Sequence, residues 1–289
     1  MAKIGLIQVD NRMASGIRER QDALISLATA CLNEGADLVF FPEAFQYVEH
    51  REVIRDPALL QQLTSEWKAR CAALAQKYSA YMVPWDYLSE DGKIYNASYI
   101  LDRKGNEIGV YHKCNLTRSE MERGITNGND YPVFDLDFGR VGIMICFDNY
   151  FPESAAALAN RGAQLVLYPL YGDTLKPQWD MKLRARAIDH SMYVASCQLD
   201  PYFDIAYTGM VDPTGNVTVK LDTVNSHRVV EIEMGKVVCT NTANLPGHRE
   251  NLHEYLHKCR NYHAFSSLAS EGTEPKSWEE ICGLKVNCQ

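Results

Sequence analysis

The stretch Val141-Gly142-Ile143-Met144-Ile145-Cys146-Phe147-Asp148 decides how this chain is read. A run of apolar and small residues goes straight into a cysteine, and polar residues follow at once. A short apolar run rich in β-branched residues reads as a strand buried on both faces. Cys146 then stands where the strand ends and the chain turns. Residues 154–160 read as the helix that follows, with Pro152 and Glu153 near its first turn. A thiol at a strand-to-helix turn meets backbone N–H groups and a positive dipole end, so a lowered pKa is expected. Taken alone, Cys146 also reads as a buried structural thiol, because free cysteine packs as a small hydrophobe.

Working outward, the same alternation fills the chain. Residues 3–9, 37–41, 80–84, 95–102, 107–112, 133–137 and 140–146 read as strands, and 16–34 and 57–78 as amphipathic helices. Gly35 closes the first helix, and Ser89 to Lys93 reads as a hairpin turn. Beyond the Cys146 helix, 164–168 reads as a strand stopped by Pro169, and 178–190 as a helix. Strands follow at 193–197, 207–212, 217–221 and 228–232, then a helix at 249–262. Alternating strands and helices make the class α/β. Composition holds steady to about Ser266, so 1–265 reads as one domain and 266–289 as a C-terminal extension.

Composition narrows the function. The 289 residues suffice for a substantial core. A net charge of −8 without a basic cluster argues against a nucleic-acid surface. No apolar run is long enough to span a membrane. The start, Met1-Ala2-Lys3-Ile4-Gly5-Leu6, reads as a strand and not as a secretory leader. The nine cysteines (31, 71, 114, 146, 197, 239, 259, 282 and 288) form no CxxC pair. That odd, scattered set suits free thiols in a reducing cytoplasm.

The chemistry lies at three strand ends, where open α/β sheets gather functional groups. Phe40-Phe41-Pro42-Glu43 places a carboxylate after an apolar strand, Val110-Tyr111-His112-Lys113 an ammonium, and Ile143-Met144-Ile145-Cys146 a thiol. Singly, Glu43 reads as a solvated loop acid, Lys113 as a surface cation and Cys146 as a core thiol. Together, a partly buried acid, cation and thiol would satisfy one another and make a nucleophilic site.

Phe-Pro-Glu at 41–43, His-Lys-x-x-Leu at 112–116 and Ile-Cys-Phe-Asp-x-x-Phe-Pro-Glu at 145–153 resemble the signature blocks of the carbon–nitrogen hydrolase (nitrilase) superfamily, in the same order. Trp179 and Arg184-Ala185-Arg186-Ala187-Ile188-Asp189 resemble a later segment of that family, with Asp189-His190 in place of Glu-Asn and Gln198 where Asn is common. The resemblance implies an αββα four-layer sandwich and a homodimer or larger homo-oligomer, with no cofactor and no metal. It implies Cys146 as nucleophile, Glu43 as general base, and Lys113 as oxyanion support beside the Phe147 N–H. A second glutamate a few positions after the lysine completes such sites. Glu120 has the better spacing for it, Glu122 is the alternative, and both also read as solvated acids of a short helix.

For the substrate, Cys146-Phe147-Asp148 looks more like the amidase and carbamoylase branches than like nitrilases, which show Cys-Trp-Glu. Asn149 and Tyr150 occupy the neighbourhood where relatives acting on N-carbamoyl amino acids carry an arginine. A neutral or amine-bearing amide, or an N-carbamoyl amine, is therefore expected. Phe147, Asp148, Asn149, Tyr150, Tyr171 and Asp173 are the candidate pocket residues, with Asp173 meeting a cationic group. The Ala-rich helix after Cys146 is a candidate subunit contact. A rival from another class is His253-Glu254-Tyr255-Leu256-His257, the HExxH pattern of zinc proteases. Arg260 stands where the longer form of that pattern needs glycine.

Overall fold

The computed structural model describes residues 1–172, 176–200, 207–235, 238–240, 249–261 and 263–264, with the backbone alone at 176–179 and 240. The tail 266–289 lies outside the described residues, as does Asp173.

The first half builds one sheet with its helices. β1 (Ala2–Asp10) pairs parallel with β2 (Leu38–Phe40), Ile4 opposite Leu38. Between them lies α1 (Ile17–Asn33), whose Leu24, Ala28, Cys31 and Leu32 are buried at helical spacing. Gly35, with φ +83°, ends it in the left-handed conformation glycine adopts freely. The next helix, α2 (Pro57–Tyr78), has Asp56 as N-cap, accepting from the Leu59 N–H at 3.1 Å, and Pro57 in its first turn. It buries Leu60, Leu63, Trp67, Cys71 and Ala75. β3 (Tyr81–Val83), β4 (Trp85–Glu90), β5 (Lys93–Leu101) and β6 (Glu107–His112) follow. The hairpin at Asp91-Gly92 is as read, but its first strand is β4, which the sequence reading passed over. A short helix α3 (Arg118–Glu122) comes next.

The second half builds a facing sheet. β7 (Val133–Leu136) and β8 (Gly139–Ile143) form a hairpin, and α4 (Pro152–Asn160), β9 (Leu165–Tyr171), α5 (Lys176–His190) and β10 (Tyr193–Asp200) follow. β11 (Thr208–Val211) and β12 (Val217–Leu221) extend this sheet beside β10. β13 (Ser226–Ile232) returns to β1, antiparallel. The two sheets are joined where the end of β1 passes to β10, Val9 opposite Leu199.

Alternation along the strands makes the layers. Leu165 and Leu167 of β9, with Ala195 and Cys197 of β10, join the core shared with the first sheet. Val166, Tyr168, Leu170 and Val194 face the other way, toward Leu158 of α4 and Leu183 and Ala187 of α5. α1 packs on β1 and α2 on β3 and β4, while α5 packs on β10 and β11. This is an αββα four-layer sandwich.

Three readings are corrected. β9 continues through Pro169 to Tyr171. The Met144 N–H donates to the Leu167 carbonyl at 3.0 Å, and the next rung of that parallel ladder would need an N–H at 169. Proline has none, so the missing donor ends the β8–β9 pairing and leaves the β9–β10 pairing intact. The Ala-rich face of α4 is divided, with Ala155 and Ala159 packed inside the chain and Ala156 and Ala157 half-exposed. The last helix, α6 (Leu252–Cys259), is shorter than expected. Among the described residues no helix is long and apolar enough to cross a membrane.

Candidate active site

The end of the β8–β9 ladder frees the chain to turn. Cys146 has φ +44°, a left-handed value unusual for a non-glycine residue, and opens a 3-10 turn at Cys146–Tyr150. Asp148 pins that turn. Its buried carboxylate accepts from the Ile145 N–H at 2.9 Å, the Asn115 N–H at 2.9 Å, the Asn115 amide at 3.0 Å and the Tyr111 hydroxyl at 2.6 Å. Asn115 lies just past Lys113, so one carboxylate ties the thiol's turn to the lysine's strand end. The Tyr168 hydroxyl donates to the Cys146 carbonyl at 2.7 Å, and Arg186 donates to the Asn149 carbonyl at 3.0 Å.

Glu43 follows β2 through Phe41-Pro42, and Lys113 follows β6, its N–H bonded to the Asn96 carbonyl of β5 at 2.8 Å. Glu120 lies on α3, capped by Thr117, whose N–H and hydroxyl each donate to its carboxylate at 2.8 Å. Lys113 Nζ donates to Glu43 Oε1 at 2.8 Å and to Glu120 Oε1 at 2.9 Å. Asn96 Nδ2 donates to the same two oxygens, at 2.7 and 2.6 Å, and is itself aimed by Trp85 Nε1, which donates to Asn96 Oδ1 at 2.6 Å. Glu43 Oε2 takes the Tyr171 N–H at 3.0 Å. Lys113, Glu43 and Glu120 are 1%, 4% and 4% exposed, so three charges are held out of water by pairing. Glu122 stays on the surface, bonded to Arg118 at 2.8 Å.

Burial works against the Lys113 ammonium, but Glu43, the Cys146 sulfur and Glu120 outweigh it and hold its pKa above the lysine range. Burial likewise works against the Glu120 carboxylate, and Lys113 outweighs it and holds that pKa low. Cys146 departs from the lowered value expected of it. Burial, then the Glu43 charge, push the thiol well up, and Lys113 offsets this only in part. A 3-10 turn of five residues has too few aligned peptides to reverse that. At rest Cys146 is therefore a thiol, bonded to Glu43 and 3.5 Å from the Tyr171 carbonyl.

These groups form the floor of a cavity of about 400 Å³. Of the candidate pocket residues, Phe147, Tyr150 and Tyr171 line it. Asp148 and Asn149 do not: both are fully buried and belong to the framework of the turn. Asn96 was missed, although a lone amide in an apolar strand was the available signal. Arg51, Tyr87 and Arg123, which also line the cavity, stand in stretches with no periodic pattern to mark them. On α6, His253 Nδ1 lies 2.7 Å from the His190 carbonyl, and among the described residues no three histidine, cysteine or acidic side chains gather as a metal site.

A family model described as carbon–nitrogen hydrolase matches residues 3–240. The omega-amidase NIT2 of Homo sapiens is 28% identical over 253 residues, 81% of this chain and 87% of that protein. Omega-amidase NIT2 of Mus musculus is 28% identical over 228 residues, 73% of this chain and 82% of its own. Among solved structures, the NitN amidase from Nesterenkonia sp. AN1 superposes with a TM-score of 0.76 at 20% identity, covering 93% of this chain and 100% of that one. A mutant of that amidase in complex with butyramide gives a TM-score of 0.71 at 21% identity, over 80% and 91% of the two chains. At such identity these two structures speak to the fold alone.

Proposed function

The chain belongs to the carbon–nitrogen hydrolase family, and on that premise we propose that it hydrolyses a small linear amide through a Cys146 thioester. The observation that carries the assignment is the pairing of Lys113 with both Glu43 and Glu120 beside a protonated Cys146 at one cavity floor. A thiol that keeps its proton needs a base at the moment of attack, and Glu43 is that base. The sulfur adds to the carbonyl carbon as Glu43 takes the thiol proton. Lys113 and the Phe147 N–H hold the oxyanion. Glu43 gives the proton to the leaving nitrogen, ammonia departs, and the thioester remains. Glu43 then takes a proton from water, the hydroxide adds to the thioester, and the carboxylic acid leaves as the thiol is restored. Glu120 keeps Lys113 charged and in place.

The relatives named omega-amidases support an amide over a nitrile. The zinc-protease reading draws no support from them. We further propose a homo-oligomer working in the cytoplasm, a reading that rests on the family resemblance and the free-thiol pattern. Ammonia release from amides, N-carbamoyl amines, N-carbamoyl amino acids and nitriles tests the function. Release from amides that vanishes in Cys146→Ala is the expected result. Release that survives in a folded Cys146→Ala overturns the thiol mechanism, and release from nitriles or carbamoyl compounds alone moves the protein to another branch.

A further inference from the structure

The turn that follows Glu43 does not support itself. Ala44 takes φ +66°, a left-handed value that is costly for a residue with a Cβ, and the chain then winds through a single 3-10 turn at Phe45–Tyr47. Two side chains of that turn fasten it to consecutive residues of β4. Gln46 Nε2 donates to the Trp85 carbonyl at 2.8 Å, and the Tyr47 hydroxyl donates to Asp86 Oδ1 at 2.8 Å. Asp86 Oδ1 also accepts from the Tyr87 N–H at 2.8 Å. The Tyr47 ring packs against Trp85 and Tyr87, with centroids 6.3 and 5.6 Å away. Gln46, Tyr47, Trp85 and Asp86 are all buried.

Trp85 reaches Glu43 from the other side as well. Its Nε1 aims Asn96, and Asn96 holds Glu43 Oε1. Glu43 is therefore held twice from one place on β4, its carboxylate through Trp85 and Asn96, its backbone through Asp86 and Tyr47. Asp86 is the costly part of this arrangement. Its carboxyl is fully buried and does not line the Cys146 cavity, and an apolar residue would pack there without the loss of solvation. A base that takes a proton from sulfur, gives it to nitrogen and takes another from water must stay within hydrogen-bond reach of each. We propose that Asp86 is a positioning residue for Glu43: as acceptor for the Tyr47 hydroxyl, it fixes the turn that carries the general base without touching the substrate. This rests on the hydrolase reading above and adds a second support for the base, independent of Asn96.

Tyr47→Phe removes one hydroxyl and leaves Asp86 bonded to the Tyr87 N–H, so it cuts the link with the smallest disturbance of the fold. Its kcat for a hydrolysed amide should fall about tenfold, with KM within about twofold of native. Asp86→Leu should fall at least as far. Asp86→Asn, whose amide oxygen accepts from the same two donors, should recover kcat to within about threefold of native. A role confined to Glu43 has a second readout, the rate at which iodoacetamide alkylates Cys146, followed by mass spectrometry of its peptide. That rate should fall about fivefold or more in Tyr47→Phe, but by less than about twofold when Glu43→Gln is already present. An unchanged kcat in Tyr47→Phe overturns the proposal, as does an Asp86→Asn variant as impaired as Asp86→Leu, or an alkylation loss as large without Glu43 as with it. If the native protein hydrolyses no amide while Tyr47→Phe slows alkylation only where Glu43 is present, the positioning role stands and the hydrolase reading falls.

Discussion

The cluster at the strand ends draws Glu43, Asn96, Lys113, Glu120 and Cys146 from five separate segments of the chain. The His253-Glu254-Tyr255-Leu256-His257 run on α6 holds its chemistry within five consecutive residues. In the dispersed set Glu43, Asn96, Lys113 and Glu120 are buried and share their hydrogen bonds, with Cys146 half-buried beside them; the contiguous set lies on a helix with no buried residue. A short motif on one helix needs no fold to bring it together, so it arises without a site. Residues that meet only through a sheet, with their charges matched in the dark, cost free energy to bury and testify to a use.

The sharpest way to break this contrast is to exchange the two regions in an activity assay. Cys146→Ala should lower amide turnover by about 10⁴-fold or more, whereas His253→Ala, His257→Ala or treatment with a chelator should change it by about twofold at most. A histidine variant as damaging as the cysteine variant reverses the comparison.

Stability gives the next test. Lys113→Met leaves Glu43 and Glu120 buried without their cation and should cost about 3–5 kcal/mol in urea unfolding. Lys258→Met removes the cation 3.6 Å from Glu254 on the exposed face of α6, where solvent screens the pair, and should leave the unfolding midpoint in place. Smaller again is Asn96→Leu. The two glutamates lose a shared donor, so kcat should fall by about 10- to 100-fold with less change in KM, and Trp85→Phe should fall between this variant and the native protein. An Asn96 variant with unaltered kcat removes the amide from the site.

Beside each region lies a buried group that titrates, and the signs are opposite. Burial, with Arg260 nearby, pushes the His190 pKa down to about 4. Between that value and the ordinary histidine value near 6.5, the unfolded chain binds the proton and the native state does not. The stability this gives is present above about 6.5 and is lost as pH falls toward 4. Asp86 lies next to Trp85 in β4, and burial raises its pKa to about 7. From about pH 4 to 7 the native state keeps the proton that the unfolded chain releases, so this group lowers stability as pH rises. His190→Gln should flatten the acid limb of a stability–pH curve and Asp86→Asn the limb approaching neutrality, each by of order 1 kcal/mol. A curve unmoved by either substitution would falsify the assignment.

The strand ends were legible because an apolar run that stops at a charge or a thiol is a local pattern. That pattern located Glu43, Lys113 and Cys146 and the class of the fold. The turn of Cys146 was legible too, but the direction of its pKa was not. Turn geometry is local, whereas the burial that raises it comes from both core layers and the Glu43 charge from the opposite sheet. Asn96, Arg51 and Arg123 were hidden for the same reason, since each matters only through residues far away in sequence. Asp148 shows the converse. Its place beside Cys146 suggested substrate, but its five donors lie on the framework.

Pro169 bears on any attempt to graft this chemistry elsewhere. Copying Cys146 and its neighbours into another parallel sheet would carry the tool without its release, because an ordinary residue on the adjoining strand would hydrogen-bond the chain and draw it on as sheet. The transplantable unit is a pair of strands, one ending in the thiol and the other lacking a single hydrogen.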